Sequence, residues 1–157
     1  MKHNFVHEAL VLAALSISSM LPLQAQAGQC SLEAVSGNWA YTYTGTVFTP
    51  NSLPAAAVGH ARLDSSGNIN GTQTHTLAGQ SELEDISGTY AVNKNCTGSM
   101  TINVSIKGQL LRTTNVNVAW DTNINHARMI FTSLTLPDGT SVPVVITADV
   151  NRVFAQN

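Results

Sequence analysis

The stretch "CSLEAVSGNWAYTYTGTVFTP", residues 30–50, sets Trp39, Tyr41 and Tyr43 on every second position, with Ala40, Thr42 and Thr44 between them. Successive side chains of a β-strand point to opposite faces, so a period of two makes one face of this segment aromatic and the other small and polar. Such a row serves either as a platform for a ligand or as packing inside a small protein. The rest of the chain has to decide.

Downstream, runs rich in Val, Ile, Thr and Tyr are cut at fairly even intervals by Gly, Asn, Asp, Ser and Pro. Eight runs are legible: 37–48, 56–64, 69–77, 82–92, 99–107, 110–121, 126–136 and 142–154. Alternation is plain within them. Met100, Ile102, Val104 and Ile106 alternate with Thr101, Asn103, Ser105 and Lys107, and Val142, Val144, Ile146, Ala148 and Val150 share one side of the last run. Val116, Val118 and Trp120 likewise oppose Asn115, Asn117 and Ala119. The density of β-branched residues and Asn argues against helices in these segments. Most connections are short enough for hairpins, the exception being "TPNSLPAA" after the first run, so consecutive strands are expected to pair antiparallel. A sandwich would need longer crossovers, and closure removes exposed edges. The reading is therefore all-β, a single eight-stranded antiparallel up-and-down β-barrel, whose interior can be filled by side chains or can hold one small ligand.

Residues 1–27 read as an export signal: Lys2, an apolar run from Ala9 to Leu23, Pro22, and the small-residue pattern Ala25-Gln26-Ala27. Cleavage after Ala27 would leave a single domain over 28–157, exported to the periplasm or the medium, with no membrane span after processing. Gln29 stands before Cys30 where a lipobox would need a small residue. Lys2 and Glu8 leave together, so the net charge stays at −2, which is no footprint for nucleic acid. Cys30 and Cys96 are the two cysteines of the chain, and in an exported domain they most simply form one disulfide.

The stretch "SGNWAYTYTGT" resembles the Gly-x-Trp opening strand of the calycins, the lipocalin- and avidin-like barrels, through Gly37-Asn38-Trp39. Those families carry an arginine on the last strand that packs over the tryptophan, and Arg152 in "TADVNRVF" stands in the matching place. The resemblance thus gives Trp39 and Arg152 a structural role at the barrel floor. The fuller pattern, "SGNWAYTYTG", "FTP", "GNINGTQT", "SGTYAVNKNCTGSMT" and "FTSLTLPDG", is similar to small exported bacterial proteins related to the allene-oxide-cyclase-like barrels. That likeness covers nearly all of the expected mature chain and implies fold and export, without a catalytic motif that maps residue by residue. The lipocalin C-terminal helix and its long first loop have no counterpart here.

Candidate ligand contacts are Tyr41, Tyr43, His75 and Trp120. Equal spacing about a turn near Gly79 places His75 opposite Leu83 or Glu84, with Asp85 a diagonal neighbour; a cross-strand His–Glu pair on the solvated face is expected there, an acid–base pair being the other reading. His60 has no partner at fixed spacing, and His126 and Arg128 share a face of the seventh run that is expected to be solvated. The scattered histidines do not make a metal site, no cofactor is implied, and no nucleophile elbow or phosphate loop occurs. The first reading of function is a non-enzymatic binder of a small apolar or aromatic ligand. Alternatives are a cyclase or isomerase of the allene-oxide-cyclase-like type, marked by an ionisable group inside the barrel, and a structural or adhesive envelope protein. The catalytic residues, the ligand and the oligomeric state stay open in the sequence.

Overall fold

The computed structural model describes residues 30–153, and the export signal expected over residues 1–27 lies outside them. One short helix, α1 (Leu32–Val35), precedes eight strands: β1 (Gly37–Phe48), β2 (Ser52–Leu63), β3 (Asn68–Leu77), β4 (Gln80–Val92), β5 (Thr97–Ile106), β6 (Gln109–Trp120), β7 (His126–Thr135) and β8 (Val144–Val153). Each pairs antiparallel with the next, and β1 also pairs with β8, which closes the barrel.

The aromatic row of β1 points inward because its neighbours make room for it. Trp39 lies opposite Ala61, Tyr41 opposite Gly59 and Tyr43 opposite Ala57 on β2, while Ala148 on β8 faces Tyr43 from the other side. At Gly59 even a methyl group has no room: a Cβ there would stand 2.7 Å from the Tyr41 hydroxyl, the Cβ of Gln73 and the carbonyl of Thr72. The outer face is thinly charged but ordered, since Thr101 donates to Asn115 (2.9 Å), Asn115 to Ser133 (2.8 Å) and Thr113 to Asn103 (2.8 Å). These cross-strand bonds let short polar side chains do what charges do on other surfaces.

One end of the barrel is a floor. Ser31 caps α1 by accepting the Ala34 N–H at 3.1 Å, and the Val35 carbonyl at the helix end accepts the indole N–H of Trp39 at 2.9 Å. The Arg152 guanidinium sits 4.9 Å from the Trp39 ring and donates to the Ala34 carbonyl at 2.6 Å. A Cys30–Cys96 disulfide ties this cap to the β4–β5 hairpin, and Cys30 is buried. The helix is a single turn, too short to leave a period in the sequence, and so it is not among the expected elements.

Two connections differ from expectation. β2 begins at Ser52, so the expected long loop shrinks to Thr49–Asn51 and Pro54 lies within the strand. Proline is tolerated there because its missing N–H falls beyond the last β2–β3 pair, Ala55 with Leu77, where only its carbonyl is used, accepting from Ala78 at 2.9 Å. The β3–β4 turn is Ala78-Gly79, both with positive φ (49° and 85°), as a two-residue hairpin of the I′ kind requires. Leu77 then pairs with Gln80 and His75 with Glu82, which moves the expected register of His75 by one to two residues.

Candidate functional site

The register of β3 and β4 puts Gln73 opposite Glu84, both pointing into the barrel and 4% and 2% exposed. The expected solvated His–Glu pair is therefore not found: His75 meets Glu84 inside the barrel, its Nδ1 3.3 Å from Glu84 Oε1, and Asp85 is exposed on the outer wall. The period of two decides this, because the inward set of β4 is Glu84, Ile86 and Tyr90. Arg112 on β6 completes the cluster from the opposite side, with Nη1 2.7 Å from Glu84 Oε1 and Nη2 2.6 Å from Glu84 Oε2. Gln73 donates to Glu84 at 2.7 Å and accepts from the Tyr41 hydroxyl at 2.9 Å, so the chain of bonds runs Tyr41, Gln73, Glu84, Arg112. A forked guanidinium–carboxylate pair of this kind is the strong form of a charged hydrogen bond.

A bulge shapes the wall beside it. Val104 pairs with Arg112 but Ser105 with Leu110, which leaves Leu111 without a partner on β5. The extra residue bends the strand so that both Leu111 and Arg112 line the same cavity. A second bulge, at Thr132 between the pairs Val116–Phe131 and Asn115–Ser133, shifts the inward positions of β7 from Phe131 to Leu134. Phe131 meets Tyr43 edge to face, with ring centroids 5.3 Å apart, and the Tyr43 and His75 rings are 6.0 Å apart.

Two cavities adjoin this cluster. The deeper one, about 60 Å³, has Trp39, Met100, Val116 and Trp120 among its walls, with Tyr41, Tyr43, Gln73, Arg112 and Thr114 as its polar members. So small a volume leaves little free space in the lower barrel. The other, about 240 Å³, lies at the mouth. Val47, Leu77, Leu111, Leu134, Val142 and Ile146 give it apolar walls, and Tyr43, His75 and Arg112 converge on it.

The cluster is electrically self-compensating. Burial alone would raise the Glu84 pKa, but hydrogen bonds from His75, Arg112 and Gln73 and the Arg112 charge outweigh it and hold it at about 2, against 4.5 ordinarily. Burial works against the Arg112 charge, yet the Glu84 contacts push its pKa up from the usual 12.5. Burial raises the Tyr43 hydroxyl to about 12 against the opposing pull of Arg112, and it lifts Tyr41 further, with Tyr43 and Glu84 adding to it. The consequence for stability has a definite sign. A depressed carboxyl stabilises the fold above its unfolded pKa, so the Glu84 contribution is lost as pH falls from 4.5 to about 2. Urea unfolding across that window is expected to show a slope that Glu84→Gln lacks. Tyr43 acts at the other end, its contribution fading as pH climbs from 10 through about 12.

Chemically, Glu84 is a poor proton acceptor at neutral pH, since it is ionised and forked onto Arg112. His75 is different. An ionised carboxylate only accepts, so Glu84 favours the proton on Nδ1 and leaves Nε2 as the second functional nitrogen of the ring.

Of the ligand contacts expected from sequence, the structure gathers Tyr43 and His75 at the mouth, while Tyr41 and Trp120 line the deep cavity; Tyr43 lines both. Trp39 and Arg152 are stacked at the floor. His60 is exposed, and His126 lies on the outer wall, its Nε2 2.8 Å from Asp149. Arg112, Gln73, Leu111 and Phe131 are not among the expected site residues. For Arg112 a signal existed: the inward run Trp120, Val118, Val116 continues in steps of two through Thr114 to Arg112. For Leu111 there was none, because a bulge breaks the period on which the reading depends.

No family model matches the chain, and no curated protein does. Among solved structures it is similar to the S-type phycobiliprotein lyase CPES from Guillardia theta, at 8% identity and a TM-score of 0.48, over 83% of this chain and 97% of that one. It is also similar to Rv2717c from M. tuberculosis, at 12% identity and a TM-score of 0.35, over 78% and 95% of the two chains.

Proposed function

We propose that this protein is an exported binder of a small apolar molecule, held in the mouth of the barrel with its polar end on Tyr43, His75 and Arg112. The observation that carries this is the 240 Å³ apolar cavity on which those three side chains converge. An apolar cavity of about 150 Å³ already holds benzene, so a ring or a short chain fits. Binding sites are commonly of this make-up, apolar walls with a few placed polar groups. The floor residues Trp39 and Trp120 then serve packing, and the ligand sits above them. Titration with the neutral ketone dye prodan is expected to give a saturable rise in fluorescence at one site per chain. Tyr43→Ala should weaken binding at least fivefold by removing a wall and a hydroxyl together. A dye signal that never saturates would overturn the reading.

A second reading, an isomerase or cyclase, is favoured by one observation: His75 stands beside Tyr43 inside the barrel, with Glu84 on its Nδ1 side. Its Nε2 could then take a proton from a bound molecule while Tyr43 and Arg112 hold an oxygen. Deuterium uptake from D2O into a bound ketone, lost in His75→Gln, would carry it, and uptake no faster than in buffer would end it.

A further inference from the structure

We infer that the mouth pocket takes a neutral molecule with a hydrogen-bond-accepting oxygen, such as a ketone, ester or lactone, and rejects the carboxylate of the same skeleton. This rests on the binding reading above and deepens it. Arg112 is the cation that lines the mouth cavity, and both of its terminal nitrogens are already engaged by the buried Glu84 carboxylate. The pair is neutral as a unit. A carboxylate arriving beside it would bring a second negative charge close to Glu84 within an apolar wall, where charges are poorly solvated and like charges repel strongly. Fatty acids and aromatic acids are therefore the wrong partners, although an arginine at the base of an apolar pocket suggests them at first sight.

A plain hydrocarbon is also disfavoured. Two of the five guanidinium N–H groups are committed to Glu84, and the Tyr43 hydroxyl and His75 ring also adjoin the cavity. A ligand without an acceptor would strip water from these groups and return nothing, which costs more than the apolar contact with them gains. An uncharged oxygen acceptor satisfies both conditions. It takes donated hydrogen bonds from groups already held in place, and it adds no charge to a balanced pair.

Acetophenone and benzoate differ in this respect and little in shape, so calorimetric titration of both into the protein at pH 8 tests the inference. Acetophenone is expected to bind at least tenfold more tightly than benzoate. Glu84→Gln, which frees Arg112, should narrow or invert that ratio, with circular dichroism confirming that the variant is folded. Comparable or tighter binding of benzoate by the unaltered protein overturns the inference while leaving the binding function intact. Saturable binding of the dye without measurable binding of acetophenone overturns it as well. Silence of dye, acetophenone and benzoate alike removes the binding function itself.

Discussion

Arg112→Met is expected to lower the unfolding free energy of the barrel by about 3–5 kcal/mol in urea, the range for removing one partner of a buried ion pair. The loss comes less from the pair than from what remains. Glu84 is 2% exposed, and without the guanidinium it would keep only Gln73 and the Nδ1 of His75 as partners. A buried carboxylate with too few donors either stays charged at high cost or takes up a proton, so the Glu84 pKa should climb out of its depressed range in the variant. Pairing Arg112→Met with Glu84→Leu should recover a good part of the loss, because two apolar side chains ask nothing of their surroundings. If the single variant loses under 1 kcal/mol, the cluster is far better hydrated than its geometry implies. If the double variant is no better than the single one, packing rather than charge sets the cost. The pair would then be retained for ligand recognition only if dye binding fell in both.

Cys30→Ser with Cys96→Ser is expected to cost about 4 kcal/mol at most, on the chain-entropy account of a crosslink spanning 66 residues. The structure adds a reason to expect the effect at the floor. The bridge holds α1 against the barrel, and α1 supplies the carbonyls that accept from Trp39 and Arg152. Losing the bridge should therefore speed hydrogen exchange at the Trp39 indole N–H well before the strands open. An unchanged indole rate would mean that the floor contacts secure α1 without the disulfide.

Much of the architecture was legible because a half-buried strand writes itself in a period of two, and the runs beginning at 37, 69, 99 and 126 start within about two residues of β1, β3, β5 and β7. Less could be read wherever that period is broken or a breaker is tolerated. Pro54 hid the first third of β2, and the one-turn helix α1 is shorter than any helical repeat. The bulge at Leu111 and the bulge at Thr132 changed which residues face inward without leaving a mark in composition.

The site divides in the same way. Alternation along β1 was enough to place Trp39, Tyr41 and Tyr43 on one face, and alternation along β4 to set Glu84 with Ile86 and Tyr90 apart from Asp85. Sequence alone thus determined the strands, their order and the aromatic face, because those follow from local periodicity and short turns. It could not determine that Glu84 and Arg112, 28 residues apart, share a forked bond. That depended on the two-residue Ala78-Gly79 turn setting one register, on a bulge aiming β6, and on closure bringing the two strands across one interior. Those are non-local facts, and only the tertiary structure decided them. Period two leaves the row at 39–43 open between platform and packing; the fold divides it, with Trp39 sealing the floor, Tyr41 anchoring Gln73 and Tyr43 facing the mouth.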